Sequence, residues 1–148
     1  MSRKNLLLSI FVSIGLFTFA QQSIPAAQVP ADIKSYIQMS YPTASNVSWE
    51  QEAGYFIAVC KINRIPTKVL IDAKGAVVQT STQIASSALP SLATRYISAH
   101  YSGQSIADAQ QLTTFNKSTR YEAVVGTSDL LFDASGNFQR VVSGPLKQ

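Results

Sequence analysis

Two stretches of the chain repeat each other, and that repetition limits the available folds more than any single residue does. Val29-Pro30 followed by Tyr36-Ile37 and Tyr41 matches Leu89-Pro90 followed by Tyr96-Ile97 and Tyr101, at a constant offset of 60. Leu70-Ile71-Asp72-Ala73-Lys74-Gly75 matches Leu131-Phe132-Asp133-Ala134-Ser135-Gly136 at an offset of 61, and Tyr55 with Val59 answers Tyr121 with Val125 at 66. Three blocks in one order, separated by loops of unequal length, read as a duplicated unit. The alternative is two Pro-started helices that arose independently.

Each copy has one grammar. Pro30 and Pro90 suit the first turn of a helix, where a missing N–H is harmless. Behind them Ile33, Tyr36, Ile37 and Tyr41, and then Leu92, Ala93, Tyr96, Ile97 and His100 or Tyr101, recur at helical spacing. One apolar stripe per helix implies a flat partner. The period then changes to two. Strands are expected near 46–51, 55–62, 67–72 and 76–81 in the first copy, and near 110–115, 120–125, 129–133 and 137–143 in the second. Glu52-Ala53-Gly54 and Ala73-Lys74-Gly75 are read as tight turns and Asn63 to Pro66 as a wider one. The fold class is α+β: a tandem duplication of a helix-plus-four-strand antiparallel unit, with both helices on one face of a broad sheet.

The N-terminus reads as a secretory signal over residues 1–20. Arg3 and Lys4 precede an apolar run from Leu6 to Phe19, and Ala20 supplies a small residue for cleavage. The run falls short of the about 20 apolar residues of a permanent span. Gln21 and Gln22 follow without stop-transfer charges, which disfavours the alternative of an N-terminal anchor. Residues 21–28 are then a short linker, and 29–148 a single domain of two repeats, about 29–85 and 86–148. No integral membrane span is expected after cleavage. The formal charge of +4 includes the two leader cations, and no Lys/Arg cluster appears, so nucleic acid is a poor partner. Cys60 is the sole cysteine and cannot form an internal disulfide, so the exported fold rests on its apolar core. The expected location is periplasmic or secreted.

The order of these pieces resembles a known family. The helix opens at Val29-Pro30 and closes on Tyr41-Pro42; Val47-Ser48-Trp49-Glu50, Gly54-Tyr55 and Ile71-Asp72-Ala73-Lys74-Gly75 follow, and a second helix opens at Leu89-Pro90. This is similar to the beta-lactamase-inhibitor-like, PepSY-like family of small exported bacterial proteins. The resemblance implies tandem units of one helix and four strands, a concave sheet face left open, and no established activity. Inhibition does not travel with a fold. Ala76-Val77-Val78 departs from the family's more polar and aromatic stretch after the glycine.

Residues able to do chemistry are few. His100 is the sole histidine, without the His/Cys/carboxylate spacing of a metal site, and reads as a helix-end residue. Cys60 with His100 would make a nucleophile–base pair, but Cys60 sits inside a strand pattern and reads as structural. Asp72 and Asp133, each followed by glycine three residues on, lack the alternating donors of a calcium loop and read as turns. Glu50, Glu52 and Glu122 are the only glutamates and read as strand residues, Glu50 and Glu52 on one face. No cofactor, metal or catalytic residue is assigned.

A surface remains. If Tyr55, Ile57 and Val59 pack under the helices in register with Tyr121, Ala123 and Val125, alternation sends Phe56 and Ala58 to the open face. There they would join Leu70, Glu122 and Leu131 as a partner-binding strip. A register one residue different puts Phe56 in the core. Trp49, the sole tryptophan, reads as core with a binding hot spot as the alternative. The resulting expectation is a non-enzymatic, exported binding module of the cell envelope. It would take an envelope protein or peptide on the open sheet face, inhibitor-like action included. The alternative is a small-ligand carrier or sensor with a pocket between sheet and helices, and a third reading is an enzyme using Cys60 or the carboxylates.

Overall fold

Pro30 (φ −52°, ψ 140°) and Pro90 (φ −56°, ψ 145°) hold extended backbone immediately ahead of α1 (Ala31–Ser40) and α2 (Ser91–His100). Their own N–H groups are absent, while their carbonyls accept from Lys34 and Thr94 at 3.2 Å and so begin the helical ladder. A single 3-10 turn precedes each helix, Ala26–Gln28 and Ser86–Ala88. At the other ends, the Tyr41 and Tyr101 N–H groups donate to Ile37 and Ile97 at 2.9 and 2.8 Å. The computed structural model describes residues 22–143, and the expected signal peptide lies outside them.

Nine strands follow the chain in order: β1 (Gln22–Ile24), β2 (Ser45–Glu52), β3 (Tyr55–Ile62), β4 (Ile65–Ile71), β5 (Val77–Gln83), β6 (Ile106–Thr114), β7 (Thr119–Val125), β8 (Ser128–Phe132) and β9 (Phe138–Ser143). Each pairs antiparallel with the next in one sheet, which makes the fold α+β. Eight of these strands sit where the period-two pattern puts them. The ninth, β1, lies in the segment read as a linker. Ile24 explains it: the side chain is buried and pairs with Trp49, so the segment is tied to the edge of β2.

Ile33 and Ile37 of α1 are buried with Ile24, Val29, Trp49, Ala58, Val69 and Ile71. Ala93 and Ile97 of α2 are buried with Leu89, Tyr101, Ala109, Ala123, Val125, Leu130 and Phe132. Each fully buried aliphatic or aromatic side chain contributes about 1.5–3 kcal/mol, so the helices are held mainly by these two clusters. Helices of ten residues are marginal in isolation.

The turns close the sheet tightly. Ile62 pairs with Ile65, so the β3–β4 connection is two residues and not the wide turn expected. Asn63 (φ 50°) and Arg64 (φ 68°) both occupy the left-handed region that such a hairpin requires, and asparagine tolerates it well. Pro66 lies beyond Thr67, the last β4 residue paired with β5, where its missing N–H breaks no bond to that strand. The two Asp-x-x-Gly segments are hairpin turns. Asp72 Oδ1 accepts from the N–H groups of Lys74 and Ala76, and Asp133 Oδ1 from those of Ser135 and Asn137, all at 2.9 Å. Asn137 also donates its side-chain amide to Asp133 Oδ2. That bond, followed by the backbone bonds, holds the Asp133 carboxyl below its ordinary pKa.

The glycines that complete these turns are not equivalent. Gly75 (φ +87°) faces only Ile33, at 3.8 Å from an added Cβ, whereas at Gly136 (φ +90°) a Cβ would meet Pro90 at 2.7 Å and the Ala93 backbone nitrogen at 2.9 Å. Gly75→Ala is expected to cost roughly 1–2 kcal/mol from the left-handed backbone alone. Gly136→Ala should cost about 1–3 kcal/mol more because α2 must move; equal losses in denaturant unfolding would contradict this docking. A lowered Asp133 pKa means its stabilisation is complete above the unfolded carboxyl's range and fades as pH falls through it toward the lower folded value. The thermal-stability gap between the wild type and Asp133→Asn should therefore narrow on acidification below about pH 4.

Candidate functional site

Strand alternation sorts the sheet's side chains into two sets. One set, including Trp49, Ala58, Val69, Ala109, Ala123 and Leu130, is buried with the helical side chains. The other forms rows across the strands: Glu50, Ile57, Leu70 and Gln79 at one level, and Ser48, Val59, Lys68, Ser81 and Leu112 at the next. Ile57 and Leu70 are fully buried in a cluster of their own with Tyr55, Val59 and Val78, which no helix residue joins. Glu122 and Leu131 pair with each other and alternate with Ala123 and Leu130, so they belong to this second set, and both are buried.

Two of the five residues expected on this face are elsewhere. Ala58 is buried in the α1 cluster and Phe56 packs against it. The repeat alignment placed Tyr55 opposite Tyr121, but Phe56 pairs with Ile71 as Tyr121 pairs with Phe132. The correct correspondence is one residue away, and in a strand one residue exchanges the faces. The match of Tyr55 to Tyr121 rested on residue identity alone, and turns of unequal length before it leave the offset unfixed in the sequence. Ala53-Gly54 joins β2 to β3 in two residues, whereas Phe115 to Ser118 join β6 to β7. Leu70, Glu122 and Leu131 keep the face assigned to them. Trp49 is buried in the α1 cluster.

Next to the apolar cluster lies a cleft of about 190 Å³, lined by Val59, Cys60, Pro66, Thr67, Lys68, Ser81, Gln83, Asp108 and Gln110. Its polar groups are ordered among themselves. Asp108 accepts from the Gln83 amide through Oδ1 and from the Gln110 amide through Oδ2, each at 2.9 Å. The Ser81 hydroxyl donates to Gln110 Oε1. On the far wall Lys68 Nζ lies 3.4 Å from Glu50 Oε2, with side chains 16 and 26% exposed. Sequence reasoning missed this group because it began the strand at Gln110 and left Asp108 in a loop. A bulge between Ile106 and Asp108 carries β6 further. The available signal was the offset of 60, which sets Asp108 opposite Ser48 in the first copy.

The candidate nucleophile and base are occupied structurally. Cys60 is buried, and burial pushes its thiol up. His100 is exposed, with Nδ1 2.9 Å from the Tyr96 carbonyl and its ring stacked on Tyr96 at 4.1 Å. Tyr96 in turn stacks on Phe138 at 4.3 Å. Among the described residues, no group of three or more His, Cys, Asp or Glu side chains could hold a metal, and no helix is long and apolar enough to cross a membrane. A thiol both buried and raised in pKa should react slowly with an aromatic disulfide reagent at pH 8. Labelling is expected to accelerate only when denaturant opens the sheet, and fast labelling of the native protein would contradict that picture.

No family model and no curated protein matches the chain. Solved structures do. A DUF2874 family protein from Bacteroides uniformis matches with a TM-score of 0.70 at 24% identity, over 78% of this chain and 89% of that one. A BLIP-like protein from Bacteroides fragilis gives 0.66 at 24% identity, over 84% and 91%. A protein of Bacteroides eggerthii with an inferred periplasmic location gives 0.71 at 19%, over 78% and 88%. At these identities the likeness is one of fold. The BLIP-like name agrees with the beta-lactamase-inhibitor half of the resemblance read in the sequence, and none of the three names mentions PepSY.

Proposed function

We propose that this chain is an exported, non-enzymatic binding module of the bacterial cell envelope, built from two copies of a helix-plus-strands unit. In this reading it takes a protein or peptide on the sheet face opposite the helical side chains. The observation that carries it is the second set of sheet residues. Half-buried Tyr55, Val59 and Val78 form an apolar cluster with the fully buried Ile57 and Leu70, without a helical contribution, bordered by Lys68, Glu50 and the Asp108 network. Apolar anchors beside ordered polar groups are the composition of a recognition surface.

Duplication is supported by irregularities as well as by motifs. Pairing is interrupted between Ser45 and Ser48 and again between Ile106 and Asp108; it is also interrupted between Leu70 and Ile71 and between Leu131 and Phe132. Bulges at matching places in two halves have no reason to coincide unless the halves share an origin. An exported location agrees with the leader in the sequence and with the inferred location of the Bacteroides eggerthii protein. The carrier alternative is less well supported. Ile33, Ile37, Ala93 and Ile97 are buried directly against the sheet, and the 190 Å³ cleft has no helix residue in its lining.

The test is photo-crosslinking in cells with a benzophenone amino acid at Gln83 or Gln110, on the sheet face, and at Gln38 on the exposed side of α1. Discrete adducts are expected from the two sheet positions and not from Gln38. No adduct from either sheet position, or the same adduct from all three, would refute the reading.

A further inference from the structure

We propose that the cleft across β3 to β6 receives one arginine side chain of the bound protein or peptide, its guanidinium on the Asp108 carboxylate and its stem along Val59 and Pro66. This deepens the protein- or peptide-binding reading of the face and rests on it. Charge selects the head group. Asp108 accepts from two neutral amides, Gln83 through Oδ1 and Gln110 through Oδ2, each at 2.9 Å. Among the described residues the ion pair at this cleft is Lys68 with Glu50, and Asp108 is in none. Lys68 cannot stand in for a partner. It is level with Ser81 and Leu112, and Asp108 lies four residues along β6 from Leu112. Its ammonium is directed to Glu50 on β2, on the far side of the cleft. The cleft therefore holds a half-buried carboxylate whose charge is not answered within it.

The acceptor capacity that remains suits a guanidinium. Each oxygen of a carboxylate offers roughly two acceptor positions, and the two amides take one on each Asp108 oxygen. Arginine presents its N–H groups as a fork that can meet both oxygens together. Gln110 is itself held by the Ser81 hydroxyl, so the carboxylate is oriented before a ligand arrives. A guanidinium is also more weakly hydrated than an ammonium and loses less on entering a cleft. The rest of the lining suits the stem. Val59 and Pro66 stand on β3 and β4, on the other side of β5 from Asp108. A ligand touching both must carry apolar atoms well separated from a cation. Arginine is built that way, its methylenes lying along apolar surface while its head stays polar.

The test is a nitrogen-15 NMR titration of the mature chain, reading the side-chain amide signals of Gln83 and Gln110. The probes are acetyl-alanyl-arginyl-alanine amide and its citrulline counterpart, which keeps the shape and loses the charge. The arginine peptide should move both signals. The citrulline peptide should bind roughly tenfold more weakly or worse, the size of a hydrogen bond to a charged group. Asp108→Asn should bring the arginine peptide down to the citrulline level. Equal binding of the two peptides, movement confined to signals away from Gln83 and Gln110, or no movement at about 10 mM peptide overturns the proposal. Because the citrulline peptide probes the unaltered protein, misfolding of the variant does not protect it. Adducts from the two sheet positions alongside a failed titration would remove the arginine subsite while leaving the binding face in place.

Discussion

The pairing of β5 with β6, from Gln79 opposite Thr114 to Gln83 opposite Gln110, joins the two halves of the chain into one sheet. Around it the Ile84 N–H donates to the Ala109 carbonyl, and the side chains of Ser81, Gln83, Asp108 and Gln110 form a second layer of bonds over the same seam. Without this pairing each half would expose an unpaired central strand, a template for aggregation. The cleft would also disappear, since its walls come from β3, β4, β5 and β6. The candidate site is thus a product of the joint between the halves.

A second constraint acts through the period of two. Once α1 buries Ala58 and α2 buries Ala123, the neighbours Ile57 and Glu122 must point the other way. The consequence differs between the halves. In the first, Ile57 and Leu70 make an apolar cluster, while the corresponding part of the second holds Glu122 against Leu131. The two halves differ in the chemistry of their second faces.

Most groups that invite a catalytic reading are committed to the architecture. Asp72 and Asp133 spend their carboxylates on backbone N–H groups of their own turns. His100 closes a run of three stacked rings with Tyr96 and Phe138, and Cys60 is buried with a raised thiol pKa. Asp108 is different, because its bonds come from side chains that are themselves part of the cleft.

Much of this was legible without coordinates. Helix starts at the two prolines, eight of the nine strands, and both aspartate turns follow from local chemistry: fixed proline φ, alternating side chains, and an aspartate three residues before a glycine. These signals are read within a few residues of chain. The sequence alone also determined that one cysteine and one histidine are available. Which way Phe56 faces was decided only by tertiary structure, because turns of unequal length leave the offset between the two halves unfixed in the sequence. The strand at Ile24 depended on a distant partner, Trp49. The cleft did as well. Lys68 and Asp108 are far apart in the chain, and only the pairing of β4 through β6 brings them to one surface, since strand pairing acts across sequence distance where helix and turn signals do not.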